Sequence, residues 1–143
     1  MIRRPPRSTP SNSSAASDVY KRQDITERVR TAIAEADVTE GICFLFCPHT
    51  TAGLVLNENW DPTVEQDIAM VLERLAPQEM PYRHMEGNSP AHIKAVLVGS
   101  DHFIFIRNGD LHLGRWQGIF LAEFDGPRRR DIWVKVVSDA DTC

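Results

Sequence analysis

The sequence predicts an α+β fold: a single domain of mixed or antiparallel β-sheets, sandwich-like, with about three helices packed on them. The chain has 143 residues, enough for one domain with its own core, and 42% of them are hydrophobic. Short apolar runs rich in β-branched and aromatic residues indicate strands, and three longer segments have the apolar spacing of helices. Helices do not alternate strictly with strands, which favours α+β over α/β.

Residues 1–23 differ from the rest of the chain. They are rich in Arg, Pro and Ser, show no hydrophobic period and lack the apolar centre of a signal peptide. Their composition predicts a disordered arm, and the string also resembles translated sequencing adapter. We therefore interpret 1–23 as a disordered or artefactual segment and place the domain at 24–143.

The first helix and two strands follow this segment. Asp24 and Glu27 have the spacing of a capping box, and the helix is predicted to end near Ala36. The continuous apolar run 42–47 and the shorter run 54–56 are typical of buried strands.

Two more helices are marked by their ends. Pro62 occupies the first position of the second helix, and Pro77 ends it. Asn88 or Ser89 is predicted to cap the third helix, and Gly99 to stop it.

Three strands complete the predicted fold. They span 102–106, 116–124 and 131–137. The turn signals Asn108-Gly109 and Asp125-Gly126-Pro127 separate them.

Charge and cysteine usage narrow the classes of partner. The net charge of −4 argues against a general nucleic-acid binder, and no apolar stretch reaches the roughly 18 residues that span a bilayer. Cys43 and Cys47 would lie about 13 Å apart on a strand, too far for a disulfide. With Cys143 they are predicted to be free thiols in a reducing cytoplasm.

Histidine placement is the most informative functional signal. His49, His84 and His92 lie in polar segments punctuated by Gly or Pro, where loops meet regular elements. Three converging imidazoles would form an open metal site or a phosphate site. The alternative for His49 is a solvated turn. His84 and His92 are eight residues apart, a spacing that is not typical of ligand pairs and does not by itself indicate a site.

Polar residues beside two strand ends extend the candidate site. The Thr50 and Thr51 hydroxyls could hold a phosphate or a metal-bound water. Glu58, next to Asn57 at a strand end, could act as a general base near an imidazole. The alternative is a polar loop that caps the helix at Asp61.

A segment near the end of the chain could complete a pocket. Trp116 could stack against a flat ring, Gln117 could read the edge of that ring, and Arg128 could clamp a phosphate. The alternatives are core packing for Trp116 and a solvated face for the arginine run 128–130.

Taken together, several strings resemble the YjbQ-like family, often named for a secondary thiamine-phosphate synthase activity. Their order and spacing agree with that family from Ile25 to about Val137. The strings are Ile25-Thr26-Glu27-Arg28-Val29, His49-Thr50-Thr51-Ala52-Gly53, Asn57-Glu58-Asn59, Asp61-Pro62, Asp67, Pro77, Tyr82, His84, Asn88, Ala91-His92-Ile93-Lys94-Ala95, Gly109, Leu111, Leu113-Gly114, Trp116-Gln117 and Glu123-Phe124-Asp125-Gly126-Pro127-Arg128.

The resemblance implies a compact homotrimer in which His49, His84 and His92 gather around a metal or an anion in a cleft. The chain departs from the family pattern at Arg115, where a small residue is usual. The opening strand of the family, before Ile25, is missing or overwritten, so a sheet edge is expected to be exposed.

The expected function is that of an enzyme, a transferase or hydrolase acting on a phosphorylated small molecule, with secondary thiamine-phosphate synthase activity. His49, His84 and His92 would hold a zinc-like divalent ion or the phosphate, and Mg²⁺ could accompany a diphosphate substrate. Glu58 and His49 would be catalytic. The substrate-binding residues would be Thr50, Thr51, Asn57, Asn88, Trp116, Gln117 and Arg128.

Two alternatives remain open at this point. One is a non-catalytic trimer that holds a metal or a phosphorylated metabolite in the same cleft. The other is a structural role in which a metal at the histidines joins the subunits.

Overall fold

The computed structural model describes residues 2–4, 7–8 and 21–142; Cys143, the third predicted thiol, lies outside them. Within these ranges the helices are α1 (Thr26–Ala36), α2 (Pro62–Leu75) and α3 (Ser89–Val98), with a 3-10 turn at Asp139–Thr142. The strands are β1 (Ile2–Arg4), β2 (Arg7–Ser8), β3 (Lys21–Asp24), β4 (Gly41–Phe46), β5 (Ala52–Glu58), β6 (Asp101–Arg107), β7 (Asp110–Leu111), β8 (Gln117–Glu123), β9 (Arg130–Asp131) and β10 (Trp133–Ser138).

The strands form antiparallel sheets. The largest has the order β1-β10-β4-β6-β7, a second has the order β3-β8-β5, and β2 pairs with β9. The register of the second sheet sets Ala52 opposite Glu123 at one end and Glu58 opposite Gln117 at the other. The two ends of this ladder therefore carry different groups of predicted site residues.

The main core lies between the two larger sheets. Leu45 and Val134 of the five-stranded sheet, Leu54 and Ile119 of the three-stranded sheet, and Ile33 of α1 belong to one buried cluster. A second cluster, under α2 and α3, covers the opposite face of the three-stranded sheet. The result is a sandwich with α1 packed into its main core and α2 and α3 on the outer face of the three-stranded sheet, so the predicted α+β fold is confirmed.

The outer face of the five-stranded sheet is not covered by any element of the described chain. Strand alternation that buries one set of residues turns the other set outward. The outward set consists of large aromatic side chains that are 42–56% exposed: Phe44, Phe46, Phe103, Phe105 and Trp133.

The predicted helices are present, but α3 begins differently from the prediction. Asp61 caps α2 by accepting a hydrogen bond from the Thr63 N–H at 2.9 Å. Asn88 precedes α3, and its side chain makes no capping bond to the helix. Instead its amide donates to Asp125, which lies two residues after the end of β8.

A close approach fixes α3 against β5. The backbone N–H of Leu54 donates to the Gly99 carbonyl at 3.0 Å, and a Cβ on Gly53 would lie 2.6 Å from the same oxygen. Gly53 is therefore required by this contact, which sets the position of α3 relative to the loop before β5.

The segment predicted to be a disordered or artefactual arm contains strand pairing. Ile2–Arg4 pair with Val134–Val136 of β10, and Lys21–Asp24 pair with Phe120–Glu123 of β8. The arm composition did not indicate these strands, because they carry no apolar alternation. Whether residues 1–23 are native stays a prediction. In the part of the chain that the structure describes, no helix is long and apolar enough to cross a membrane.

Candidate functional site

An open polar cleft of about 660 Å³ lies where three connections meet. These are the loop between β4 and β5, the segment leading into α3, and the turn between β8 and β9. The cleft is lined by Pro48, His49, Thr50, Thr51, Glu86, Asn88, His92, Asp125, Arg128 and Arg130. The rigid sheets thus present loop residues around one concave surface, which is a common arrangement for binding sites.

A buried ion pair connects two of these walls. Arg130 and Glu123 are 4% and 8% exposed, and the Arg130 Nε donates to Glu123 Oε1 at 2.7 Å. The Arg130 Nη2 also donates to the Thr51 hydroxyl at 2.9 Å. Glu123 Oε2 accepts the backbone N–H of Asp125 at 3.0 Å. The pair therefore links the loop before β5 to the turn after β8.

His49 is anchored by the backbone rather than by a side chain. Its Nε2 accepts the Asp131 N–H at 2.9 Å. Burial lowers the pKa of His49, and the charge of Arg130 lowers it further. The backbone hydrogen bond with Asp131 and the Asp131 and Glu123 carboxylates act in the opposite direction, but the net effect is a lowered pKa. The neutral imidazole is therefore favoured at neutral pH.

Asn88 carries an acceptor without a partner. Its Nδ2 donates to Asp125 Oδ2 at 2.9 Å, whereas its Oδ1 is buried and has no hydrogen-bond partner in the structure. The orientation of the amide is set by Asp125, because a flipped amide would put two acceptor oxygens together. Such a buried acceptor costs about 1–3 kcal/mol when nothing donates to it.

The cleft carries no excess positive charge, because the buried Glu123 adds a third carboxylate to the two that line it. Arg128 and Arg130 supply two positive charges, and Glu86 and Asp125 supply two negative charges. Arg128 is held by Asp125 Oδ2 at 2.9 Å, and Arg130 is neutralised by Glu123. With His49 neutral, the cleft has no excess cation for a doubly charged anion.

His84 stands at the edge of this cleft. Its ring lies edge-on to that of His92, with 5.3 Å between the ring centroids, and its Nε2 lies 3.2 Å from Glu86 Oε1. His84 and His92 are thus brought together as predicted, but His84 itself is not one of the lining residues.

The remaining predicted residues lie at the other end of the β5–β8 ladder. Asn57 and Glu58 pair with Gly118 and Gln117, whereas the cleft begins beside Ala52. Six extended residues separate these ends by about 20 Å. Glu58 Oε2 accepts the backbone N–H groups of residues 60 and 61.

Trp116 belongs to that distant end as well. It is half-exposed, its ring lies 6.0 Å from that of Trp60, and Arg115 stacks on it. The pocket wall predicted for Trp116 and Gln117 is therefore not part of the cleft around His49.

The family model described as UPF0047 protein YjbQ-like matches residues 14–139. The chain belongs to this family. A UPF0047 protein of Methanocaldococcus jannaschii is 52% identical over 116 residues, covering 81% of this chain and 84% of the relative. The UPF0047 protein YugU of Bacillus subtilis is 44% identical over 115 residues, covering 80% of this chain and 87% of the relative.

Solved structures of the YjbQ-like family confirm the fold. A YjbQ/UPF0047 protein of Clostridium acetobutylicum is 46% identical with a TM-score of 0.85, covering 96% of this chain and 100% of the other. A protein of unknown function from Sulfolobus solfataricus P2 is 28% identical with a TM-score of 0.86, covering 96% and 97%.

The three-histidine metal site predicted for this YjbQ-like chain does not fit the structure. Among the described residues, no group of three His, Cys, Asp or Glu side chains is placed to hold a metal ion. The Nε2 lone pair of His49 is already used by the Asp131 N–H, and His84 faces Glu86. A metal needs free nitrogen lone pairs that converge on one point, which this arrangement does not offer.

The predicted function of the chain is also contradicted. Its relatives carry only the UPF0047 designation, and the Sulfolobus protein is described as being of unknown function. These findings support neither an enzyme acting on a phosphorylated molecule nor thiamine-phosphate synthase activity. The alternative, a non-catalytic protein that holds a metal or a phosphorylated metabolite, depended on the same three-histidine site and is wrong with it. The homotrimer does not depend on that site and stays a prediction.

Four lining residues are absent from the predicted site: Pro48, Glu86, Asp125 and Arg130. One of them, Arg130, left a signal in the sequence. Arg130 was interpreted only as part of the arginine run 128–130, either a phosphate clamp or a solvated face. It lies an even number of residues before Ile132, Val134 and Val136, which are all buried. Strand alternation continued backwards from 136 would have placed Arg130 inside. Asp125 was assigned only to a turn, and nothing local indicates its bond to Asn88.

Proposed function

We propose that the cleft binds a small organic molecule that is rich in hydroxyl groups and is neutral or singly negative. The observation that carries this proposal is the buried Asn88 Oδ1, which has no hydrogen-bond partner among the described residues. Only a donor can satisfy it, and a ligand hydroxyl is a donor that also accepts from the surrounding cleft groups.

The chemistry of the lining supports this class of ligand. His49, Thr50 and Arg128 offer donors, while Asn88 and Glu86 offer acceptors. A polyhydroxylated molecule can use both kinds of group. The lack of excess positive charge favours such a ligand over a doubly charged one, because a dianion would lose its hydration without meeting a compensating charge.

Binding can be tested with sorbitol and gluconate, measured by saturation-transfer NMR and calorimetry. Asn88→Ala should weaken binding at least tenfold, because it removes the acceptor. Asn59→Ala is the matched control: Asn59 donates to the Gln117 carbonyl at the distant end of the ladder, so its loss should not change binding. The proposal fails if neither compound binds the unmodified chain, or if Asn88→Ala binds as well as the unmodified chain.

We also propose that the chain forms a homotrimer through the outward aromatic face of the five-stranded sheet. Five large rings on one face form an apolar surface of the kind that proteins cover in an assembly. Phe44 and Phe103 are directly paired across β4 and β6, with 6.4 Å between ring centroids. A three-fold assembly would cover this face in every copy.

Light scattering after size exclusion tests the assembly. The unmodified chain should have three times the 16.2 kDa mass of one copy. Phe44→Lys/Phe103→Lys should be monomeric, whereas Val96→Lys, which alters an apolar residue of α3 that is 81% exposed, should remain trimeric. A monomeric unmodified chain, or a trimeric Phe44→Lys/Phe103→Lys variant, would overturn the proposal.

The proposed location is the cytoplasm. Cys43 and Cys47 are free and buried, and burial raises the pKa of Cys43 to about 12. Free thiols are typical of a reducing compartment. Fractionation of cells that express the tagged chain tests this proposal, which fails if the chain is recovered outside the cytoplasmic fraction.

A further inference from the structure

The backbone N–H of Asp131 determines the protonation of His49. It points at the Nε2 of the ring from 2.9 Å. A backbone N–H can only donate, so Nε2 accepts and carries no hydrogen. A flipped ring would place a carbon against this donor, which excludes the other ring orientation. The neutral ring therefore carries its hydrogen on Nδ1.

The donor that selects this tautomer is itself held firmly. Asp131 follows Arg130 in β9, and Arg130 is fixed by the buried Glu123 carboxylate and by Thr51. The same cluster lies beside His49, and the loop that carries Thr51 also carries His49. Movement of β9 would break several of these bonds at once, so the tautomer is stabilised by the cluster as a whole.

The second ring nitrogen remains available to a ligand. His49 lines the cleft, and across residues 21–142 the structure records no hydrogen bond at its Nδ1. A neutral imidazole with its hydrogen on Nδ1 is a donor there and cannot accept.

We infer that His49 is a fixed hydrogen-bond donor that selects ligands carrying a carboxylate oxygen. This inference rests on the proposed binding of a hydroxylated molecule and narrows it to a hydroxy-carboxylate. The carboxylate accepts from His49 Nδ1–H, and a hydroxyl of the same molecule donates to Asn88 Oδ1. Arg128, which lines the cleft and stays paired with Asp125, offers a further charge-assisted donor to this carboxylate.

The tautomer can be measured without any ligand. Long-range ¹H–¹⁵N correlation on the unmodified chain at neutral pH should show a protonated Nδ1 and an unprotonated Nε2 for His49. His49→Asn assigns the signal. A protonated Nε2, or exchange between the two tautomers, would overturn the inference regardless of what the cleft binds.

The ligand preference is measured with gluconate and sorbitol, which share a six-carbon polyol chain and differ at the carboxylate. The unmodified chain should bind gluconate at least tenfold more tightly than sorbitol. His49→Leu should lose this preference, and His49→Asn should keep part of it, because the Asn amide places a donor near the former Nδ1. His112→Leu, at an exposed histidine outside the cleft, is the matched control and should keep it fully.

The outcomes separate the two proposals. Equal binding of both compounds by the unmodified chain, or an unchanged preference in folded His49→Leu, contradicts the role of His49 and leaves the hydroxylated ligand standing. Binding of neither compound contradicts the proposed function and the ligand preference with it, while the NMR result still decides the tautomer.

Discussion

At the scale of single residues, the site depends on backbone groups that composition does not reveal. His49, Thr50 and Thr51 were predicted as site residues because they follow a strand and a proline, and all three line the cleft. The acceptor role of His49 Nε2 was not predictable, because its donor is a backbone N–H 82 residues away. The catalytic roles expected for Glu58 and His49 stay predictions.

The lowered pKa of His49 predicts a pH dependence of stability. The folded chain binds this proton less readily than the unfolded chain does, so the free energy of unfolding falls as the pH drops below the usual histidine range of about 6.5. The contribution is fully present above that range and is lost as the pH falls through the pKa of the folded state.

Urea unfolding of the unmodified chain and of His49→Gln between pH 7.5 and pH 5 measures this dependence. The variant should show a smaller fall in stability, since it lacks the titrating ring while its carboxylates are unchanged. Identical slopes for the two chains would contradict the prediction.

At the scale of elements, α2 is held to α3 by an unusual contact. Lys94 is only 1% exposed, and its Nζ donates to Glu73 Oε1 at 2.9 Å. Leu72 is the one buried side chain described for α2, whereas Met70, Val71 and Leu75 are about half exposed. Because few apolar contacts hold α2 in place, the charged contact carries a large share of its attachment.

Glu73→Ala should therefore lower the free energy of unfolding by about 1–3 kcal/mol, since a buried ammonium is left without its acceptor. Asp67→Ala, which removes an exposed carboxylate from the same helix, should change it by less than about 0.5 kcal/mol. Adding Lys94→Met to Glu73→Ala should recover stability. Urea unfolding measures all three, and a double variant no more stable than Glu73→Ala would contradict the explanation.

Most elements were predictable because their patterns are local. The predicted strands 42–47 and 102–106 became Gly41–Phe46 and Asp101–Arg107, and the predicted helices are present with shifts of one or two residues at their ends. The Lys21–Asp24 strand was not predictable, because it has no apolar alternation. It pairs through its backbone, and Arg22 lies over the Phe120 ring at 3.8 Å.

At the scale of the whole molecule, the predicted convergence of site residues was only partly met. Sequence spacing showed which residues end strands, but the β5–β8 register decided which end each one occupies. His49 and Glu58 begin and end the same short stretch of chain, yet the straight strand between them keeps the two groups apart. The short distance in sequence between His49 and Glu58 indicated a shared site, but the extended strand between them separates the two side chains.

The pairing of β1 with β10 predicts how a shortened chain should behave. Removing residues 1–8 would uncover the outer edge of β10 at Val134–Val136, and an open edge can pair with another copy. Ile2→Pro/Arg4→Pro keeps the length but prevents pairing, since proline cannot donate. Both chains should show more concentration-dependent light scattering than the unmodified chain. Equal scattering from all three would contradict this role for β1.

The buried pair of Arg130 and Glu123 also constrains how this chain can change over generations. Replacing either partner alone leaves a lone charge among buried groups, which typically costs about 3–5 kcal/mol, a large part of the stability of a small domain. Selection for stability therefore acts against evolutionary paths that replace Arg130 and Glu123 one at a time. The two positions should therefore be inherited together across descendants, and a lineage that replaces one should carry a matching replacement of the other.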